Sequence, residues 1–131
     1  MKLDASQNFS RRAVSALDEA ELSRLLAMAG PLDGKELMRR LIADISGVKA
    51  GMAESIMAGD RSAVRRHSHV LLAIAGTIGA DRVYELARLI NLCAKEEDCT
   101  VARPQATEIL TGLDGLVQHL RAMAAELGMA V

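Results

Sequence analysis

Residues 59–80 read GDRSAVRRHSHVLLAIAGTIGA. Gly59-Asp60 is the sharpest punctuation in the chain, because glycine can end one helix in the left-handed conformation and aspartate can cap the next. The run that follows carries its apolar residues at helical spacing and predicts a helix over about 61–77, ending near Gly79. Two histidines, His67 and His69, stand two residues apart inside it. They could bind a metal, pack into a core or face solvent, and the chemistry open to the chain depends on which.

The pattern on either side extends the helical reading. Asp18 followed by Glu21 has the spacing of a capping box, and Leu22, Leu25, Leu26 and Ala29 recur at helical spacing until Gly30-Pro31 stops them. Asp33 with Glu36 repeats the capping pattern ahead of a long helix, with Leu37, Leu41, Ile45, Val48, Met52 and Ile56 on one stripe. Gly47 and Gly51 lie inside that helix at a cost of ~1 kcal/mol each relative to alanine, which predicts a less regular middle. A fourth helix over about 80–96 buries Val83, Leu86, Ala87, Ile90 and Cys93. The polar stretch KEEDCTVARP leads to a last helix with Pro104 in its first turn and Ile109, Leu110, Leu113, Leu116, Val117, Leu120 and Leu127 on its stripe. Residues 1–14 lack periodicity and are expected to form a flexible arm. No alternating run is long enough for a strand. The expected fold is all-α: an antiparallel four-helix bundle with a short additional N-terminal helix, over residues 15–131.

Composition narrows the function. The chain of 131 residues is half hydrophobic, with one Phe, one Tyr, no Trp and seven Met, so its core must be aliphatic. Sixteen basic and 17 acidic residues leave a net charge of −1, which gives no electrostatic case for nucleic acid or an anionic membrane. No apolar run reaches the ~18 residues needed to span a bilayer, and the N-terminus lacks the apolar stretch of a signal peptide. Cys93 and Cys99 are too few for a disulfide scaffold and form no CxxC pair; they read as a small core residue and a loop thiol. A soluble cytoplasmic domain is the expectation.

Helical geometry separates the two histidines. With His69 as origin, Ser62, Arg65, Arg66, Leu72, Ala73 and Gly76 fall within about 60° of it. Ala63, Val64, His67, Leu71, Ile74 and Ile78 fall on the opposite, apolar side. The two histidines therefore point about 160° apart, whereas two ligands on one helix need i, i+3 or i, i+4 spacing to converge on an ion. No metal site is expected. His67 is expected on the core side, bonded to an acceptor, and His69 in water. Around His69, Leu72, Ala73 and Gly76 make the outward face small and apolar, and Arg65 and Arg66 lie one turn before it. An accessible imidazole with low walls and nearby cations suits a nucleophile that receives an anionic group from a docked partner.

In these residues the chain resembles the histidine-containing phosphotransfer (HPt) domain of two-component phosphorelays. That family's pattern is roughly a Gly-Asp, a helix with small and basic residues, His-x-Leu-Lys-Gly, and then Gly-Ala opening the next helix. Gly59-Asp60, His69, Leu71 and Gly79-Ala80 match it, while Leu72 stands at the family's lysine and Ala73 at its glycine. The resemblance implies a phosphocarrier, with His69 taking a phosphoryl group from one receiver-domain aspartate and passing it to another. Arg65 and Arg66 would lie near the phosphate and compensate for the missing lysine, since a guanidinium can hold phosphate in bidentate fashion. Ser62, Leu72, Ala73 and Gly76 would form the docking surface. The implied partners are receiver domains of response regulators or hybrid histidine kinases, which carry Mg²⁺ themselves. The chain is expected to be no enzyme, to have no nucleotide site or cofactor of its own, and to be a monomer. Leu72 keeps an alternative open, an HPt-like module that docks a receiver or kinase domain without productive transfer.

Overall fold

The computed structural model describes residues 15–131, so the arm expected over residues 1–14 lies outside the described residues. Five helices follow in order: α1 (Glu19–Ala29), α2 (Pro31–Ala58), α3 (Arg61–Ile78), α4 (Asp81–Ala94) and α5 (Arg103–Glu126). Helices α2 to α5 pack each against the next, and α5 returns to α2, closing a four-helix ring. The α2–α3 and α3–α4 connections are only two residues long, which forces antiparallel neighbours. Helix α1 lies against α2 and α3. The all-α expectation holds.

The helix ends show how local chemistry sets these corners. Gly59 and Gly79 adopt the left-handed conformation, with φ of 65° and 67°, where a β-carbon would be strained. The Asp60 carboxylate accepts from the Ala63 N–H at 3.1 Å and starts α3. Asp18 caps α1 in the same way, accepting from the Glu21 N–H at 2.9 Å, but the capping box is only half made. Glu21 turns instead to Arg24 at 2.6 Å, and the Asp18 N–H donates to the Ile78 carbonyl at 2.9 Å, tying the start of α1 to the end of α3. Asp33 and Glu36 do not form the second box. Helix α2 already begins at Pro31, which is preorganised for a first turn, so Asp33 sits inside that turn and Glu36 pairs with Arg39 at 3.0 Å.

The core is aliphatic, as composition requires. Leu22, Met38, Ile45, Met52, Leu71, Ile78, Leu86, Ile90, Ile109, Leu113, Leu116 and Leu120 are fully buried. Three details depart from the periodic reading. On α2 the buried stripe takes in Met38 and Ile42, while Leu37 and Ile56 are only half-buried at its edges. On α5 the helix stops at Glu126, leaving Leu127 outside it and 51% exposed, and Met123 fills the next core position. Cys93 and Cys99 are joined in a disulfide that holds the loop after α4 against that helix, so neither is a free thiol. The Glu108 carboxylate grips Arg82 through two hydrogen bonds of 2.9 and 3.0 Å, joining α5 to α4. That bonding holds the Arg82 guanidinium above its ordinary range. Among the described residues no helix is long and apolar enough to cross a membrane.

Helix α2 runs unbroken through Gly47 and Gly51. Gly47 has open space around it, whereas a β-carbon at Gly51 would collide with the His67 ring of α3. Gly47→Ala should therefore raise stability by about 0.5–1 kcal/mol, the helix-interior difference between the two residues. Gly51→Ala should gain clearly less in urea denaturation, and the gap between the two should close in a His67→Ala background. Equal gains in both backgrounds would mean that the ring does not need the space. For the cysteines, thiol titration of the unfolded, unreduced protein should find no free thiol, and two after reduction.

Candidate functional site

Helix α3 buries Ala63, Val64, Ser68, Leu71, Ala75 and Ile78. Its inward face is thus centred near Val64 and Leu71 rather than on His67. His67 is half-buried at the α2 side, its ring over Gly51, instead of being a core histidine bonded to an acceptor. Ile74 is half-buried too. His69 is exposed in the middle of the helix, and Ser62, Arg65, Arg66, Ala73 and Gly76 are exposed with it, as their angles required. Leu72 is the exception on this face. It is half-buried and packs against the core, so it fills the seam between α3 and α4 rather than standing out from it.

Helix α4 causes this rotation. Asn91 is buried, and its side-chain amide donates to the Arg65 carbonyl at 3.1 Å and to Ser68 Oγ at 3.0 Å. Ser68 Oγ in turn donates to the same Arg65 carbonyl at 3.1 Å. Both amide hydrogens and the serine hydroxyl are satisfied on a single turn of α3, which draws Ser68 inward. Two turns further along α4's face the Tyr84 ring lies across Gly76, 3.8 Å from where a β-carbon would project. Tyr84 is itself 42% exposed, so it adds an aromatic edge to the surface around Ala73 and Gly76.

The two arginines diverge. Arg65 lies on the α4 side, where its carbonyl belongs to the Asn91 network. Arg66 lies on the α2 side and lines a cavity of about 270 Å³ with Gly51, Glu54, Asp60 and His67. None of the ion pairs among the described residues uses either guanidinium. A larger cavity, about 460 Å³, lies at the end of the bundle between Gly59, Arg61 and the disulfide loop, and His69 does not line it. His119, the third histidine, is structural: its ring nitrogens face the Ser15 carbonyl at 3.2 Å and the Glu19 carboxylate at 3.1 Å. Among the described residues no group of three His, Cys, Asp or Glu side chains is placed to hold a metal ion.

Sequence reasoning missed Tyr84, Ser68 and Asn91. A polar Asn91 at the end of an otherwise apolar stripe on α4, seven residues after Tyr84, was the available signal. It needed a partner to be readable, because Ser68 alone is an ordinary helix residue. The resulting site is open: His69 lines neither cavity, with Ala73 and Gly76 on one side of it and Arg65 and Arg66 on the other. Such a surface has no walls with which to enclose a small substrate. No protein-family model, curated protein or solved structure matches the chain.

The buried amide gives a direct test of this geometry. Asn91→Ala should destabilise the bundle by about 1–3 kcal/mol, for two lost hydrogen bonds and the space the side chain leaves. Combined with Ser68→Ala, the loss in urea denaturation should fall short of the sum of the single losses, because the Asn91–Ser68 bond is lost in both. Strict additivity would place the two side chains in separate roles.

Proposed function

We propose that the chain is a histidine phosphotransfer protein of a phosphorelay, carrying a phosphoryl group on His69 between receiver-domain aspartates. What carries the reading is a single exposed imidazole, with small Ala73 and Gly76 after it and Arg65 and Arg66 before it, on a helix packed against both neighbours. Such a patch lets a second domain's surface approach until phosphorus and nitrogen are within reacting distance.

In the step itself, the lone pair of the unprotonated His69 ring nitrogen attacks phosphorus in line. The N–P bond forms while the bond from phosphorus to the aspartyl oxygen breaks, and its electron pair leaves with the receiver carboxylate. The hydrogen on the other ring nitrogen stays in place. Phosphoryl transfer of this kind needs positioning and charge stabilisation more than protein-side covalent chemistry. The receiver, with its Mg²⁺, supplies most of both. This chain then needs only the nucleophile, a docking surface formed by Ser62, Leu72, Ala73, Gly76 and Tyr84, and cations at its rim. A monomer acting in the cytoplasm, without a nucleotide site or an activity of its own, satisfies these demands. The Cys93–Cys99 bond is the one feature that opposes this compartment, since a reducing cytoplasm disfavours it.

One observation favours a second reading. Leu72 occupies the place of the family's lysine, and it is turned half into the seam, where it offers no charge to a phosphate. On that ground the bundle would dock a receiver or kinase domain without transfer.

Intact mass before and after incubation with phosphorylated receiver domains and Mg²⁺ separates the two. The carrier reading expects one acid-labile phosphoryl group on the wild type and none on His69→Gln. Saturable receiver binding without modification, retained by His69→Gln, would leave the docking reading standing alone.

A further inference from the structure

Leu72 offers no charge to a phosphate, so any cation that this chain adds at His69 comes from another position. The register of α4 on α3 is pinned at two points, with Tyr84 across Gly76 and Asn91 on Ser68 and the Arg65 carbonyl. Arg88 lies between these anchors on the same face of α4, four residues after Tyr84 and three before Asn91. Antiparallel packing brings it level with Leu72, within one turn of His69, on the far side of the seam that Leu72 fills. Arg88 is exposed, and none of the ion pairs among the described residues uses it. Glu85, its nearest acidic neighbour along the helix, turns to Arg82 at 3.5 Å.

The other two cations are placed unequally. Arg65 precedes His69 by one turn, and its helical angle puts it on the flank it shares with Leu72, the α4 side. Arg66 shares its cavity with the carboxylates of Glu54 and Asp60, which oppose an incoming anion there.

We infer that Arg88, reaching across from α4, joins Arg65 in holding the anionic phosphoryl group on His69 and so takes over the charge that Leu72 lacks. This rests on the phosphocarrier reading for its biological meaning, but the chemistry can be tested without a receiver. A guanidinium presents two parallel N–H groups to phosphate oxygens, which suits it to this role better than a point charge does. Leu72, apolar and packed in the seam, leaves the guanidinium less competition from water.

The test uses phosphoramidate, a small phosphoryl donor, on the full chain, with His69→Gln to subtract labelling at other histidines. Uptake rate is followed by intact mass at neutral pH, and phosphohistidine lifetime after the donor is removed. Arg88→Ala should slow uptake at His69 by about tenfold, as expected for loss of a charge-assisted phosphate contact, and Arg65→Ala should do likewise. Arg66→Ala should stay within about twofold, and Arg88→Lys should recover part of the loss. Leu72→Lys in the Arg88→Ala background should restore uptake. Unchanged far-UV circular dichroism and melting would confirm that each variant is folded.

Uptake by Arg88→Ala within twofold of wild type overturns the assignment and leaves the carrier reading intact, as does an equal loss in Arg66→Ala. No uptake at His69 in the wild type also overturns it. Arg88-dependent uptake from phosphoramidate, with none from any phosphorylated receiver, upholds the assignment and overturns the carrier reading.

Discussion

Asn91 is buried between α3 and α4, and a carboxamide taken out of water has to recover its hydrogen bonds or cost the fold more than most single contacts contribute. It does so on one turn of α3, through the Arg65 carbonyl and Ser68 Oγ. Hydrogen bonds are directional where apolar packing is not, so this contact selects one rotation and one height of α4 against α3. Ser68 is drawn inward, and His69, the next residue, is thereby turned out. The same register lays Tyr84 over Gly76 and carries Arg88 to the level of Leu72. Periodicity turns this face outward, and a buried interaction on the α4 flank of the same helix fixes its final rotation.

That face is unusual in what it omits. A solvent-facing helix surface ordinarily carries long charged side chains, and here Ala73 and Gly76 leave it low around an imidazole. Low relief costs some helix propensity at Gly76, which Tyr84 covers only in part. A surface of this form does not enclose a small molecule. The charges are set at its edges, with Arg65 on the α4 side, Arg88 on α4 itself and Arg66 beside Glu54 and Asp60. The asymmetry means that equal spacing from His69 along α3 does not make Arg65 and Arg66 equivalent.

His67 illustrates how a core is adjusted around a polar ring. Its position on an apolar arc suggested burial, yet it rests half-exposed at the α2–α3 edge in space that only the absence of a side chain at Gly51 provides. The glycine that looked like a weakness in the long helix is a steric requirement of its neighbour. Gly47, one turn earlier, has no such neighbour. The two glycines are indistinguishable on local propensity, and the difference between them lies across the helix interface.

Much of the architecture was legible from residue order alone. Gly59-Asp60 and Gly79-Ala80 mark their corners because left-handed backbone and capping chemistry are local properties. The number of helices, their order, and the outward direction of His69, Ala73 and Gly76 follow from periodicity, which needs no partner to be read. What the tertiary structure alone decided was each helix's rotation about its axis: the inward turn of Ser68, the tilt of Leu72 into the seam, the half-burial of His67 and the covering of Gly76 by Tyr84. It also decided the pairing of Cys93 with Cys99, which requires the loop to fold back on α4. The physical reason is common to all of these. An apolar stripe only says that a side of the helix is covered, over a broad arc, whereas a buried polar group, a ring or a sulfur says where, and it says so only together with the partner that satisfies it.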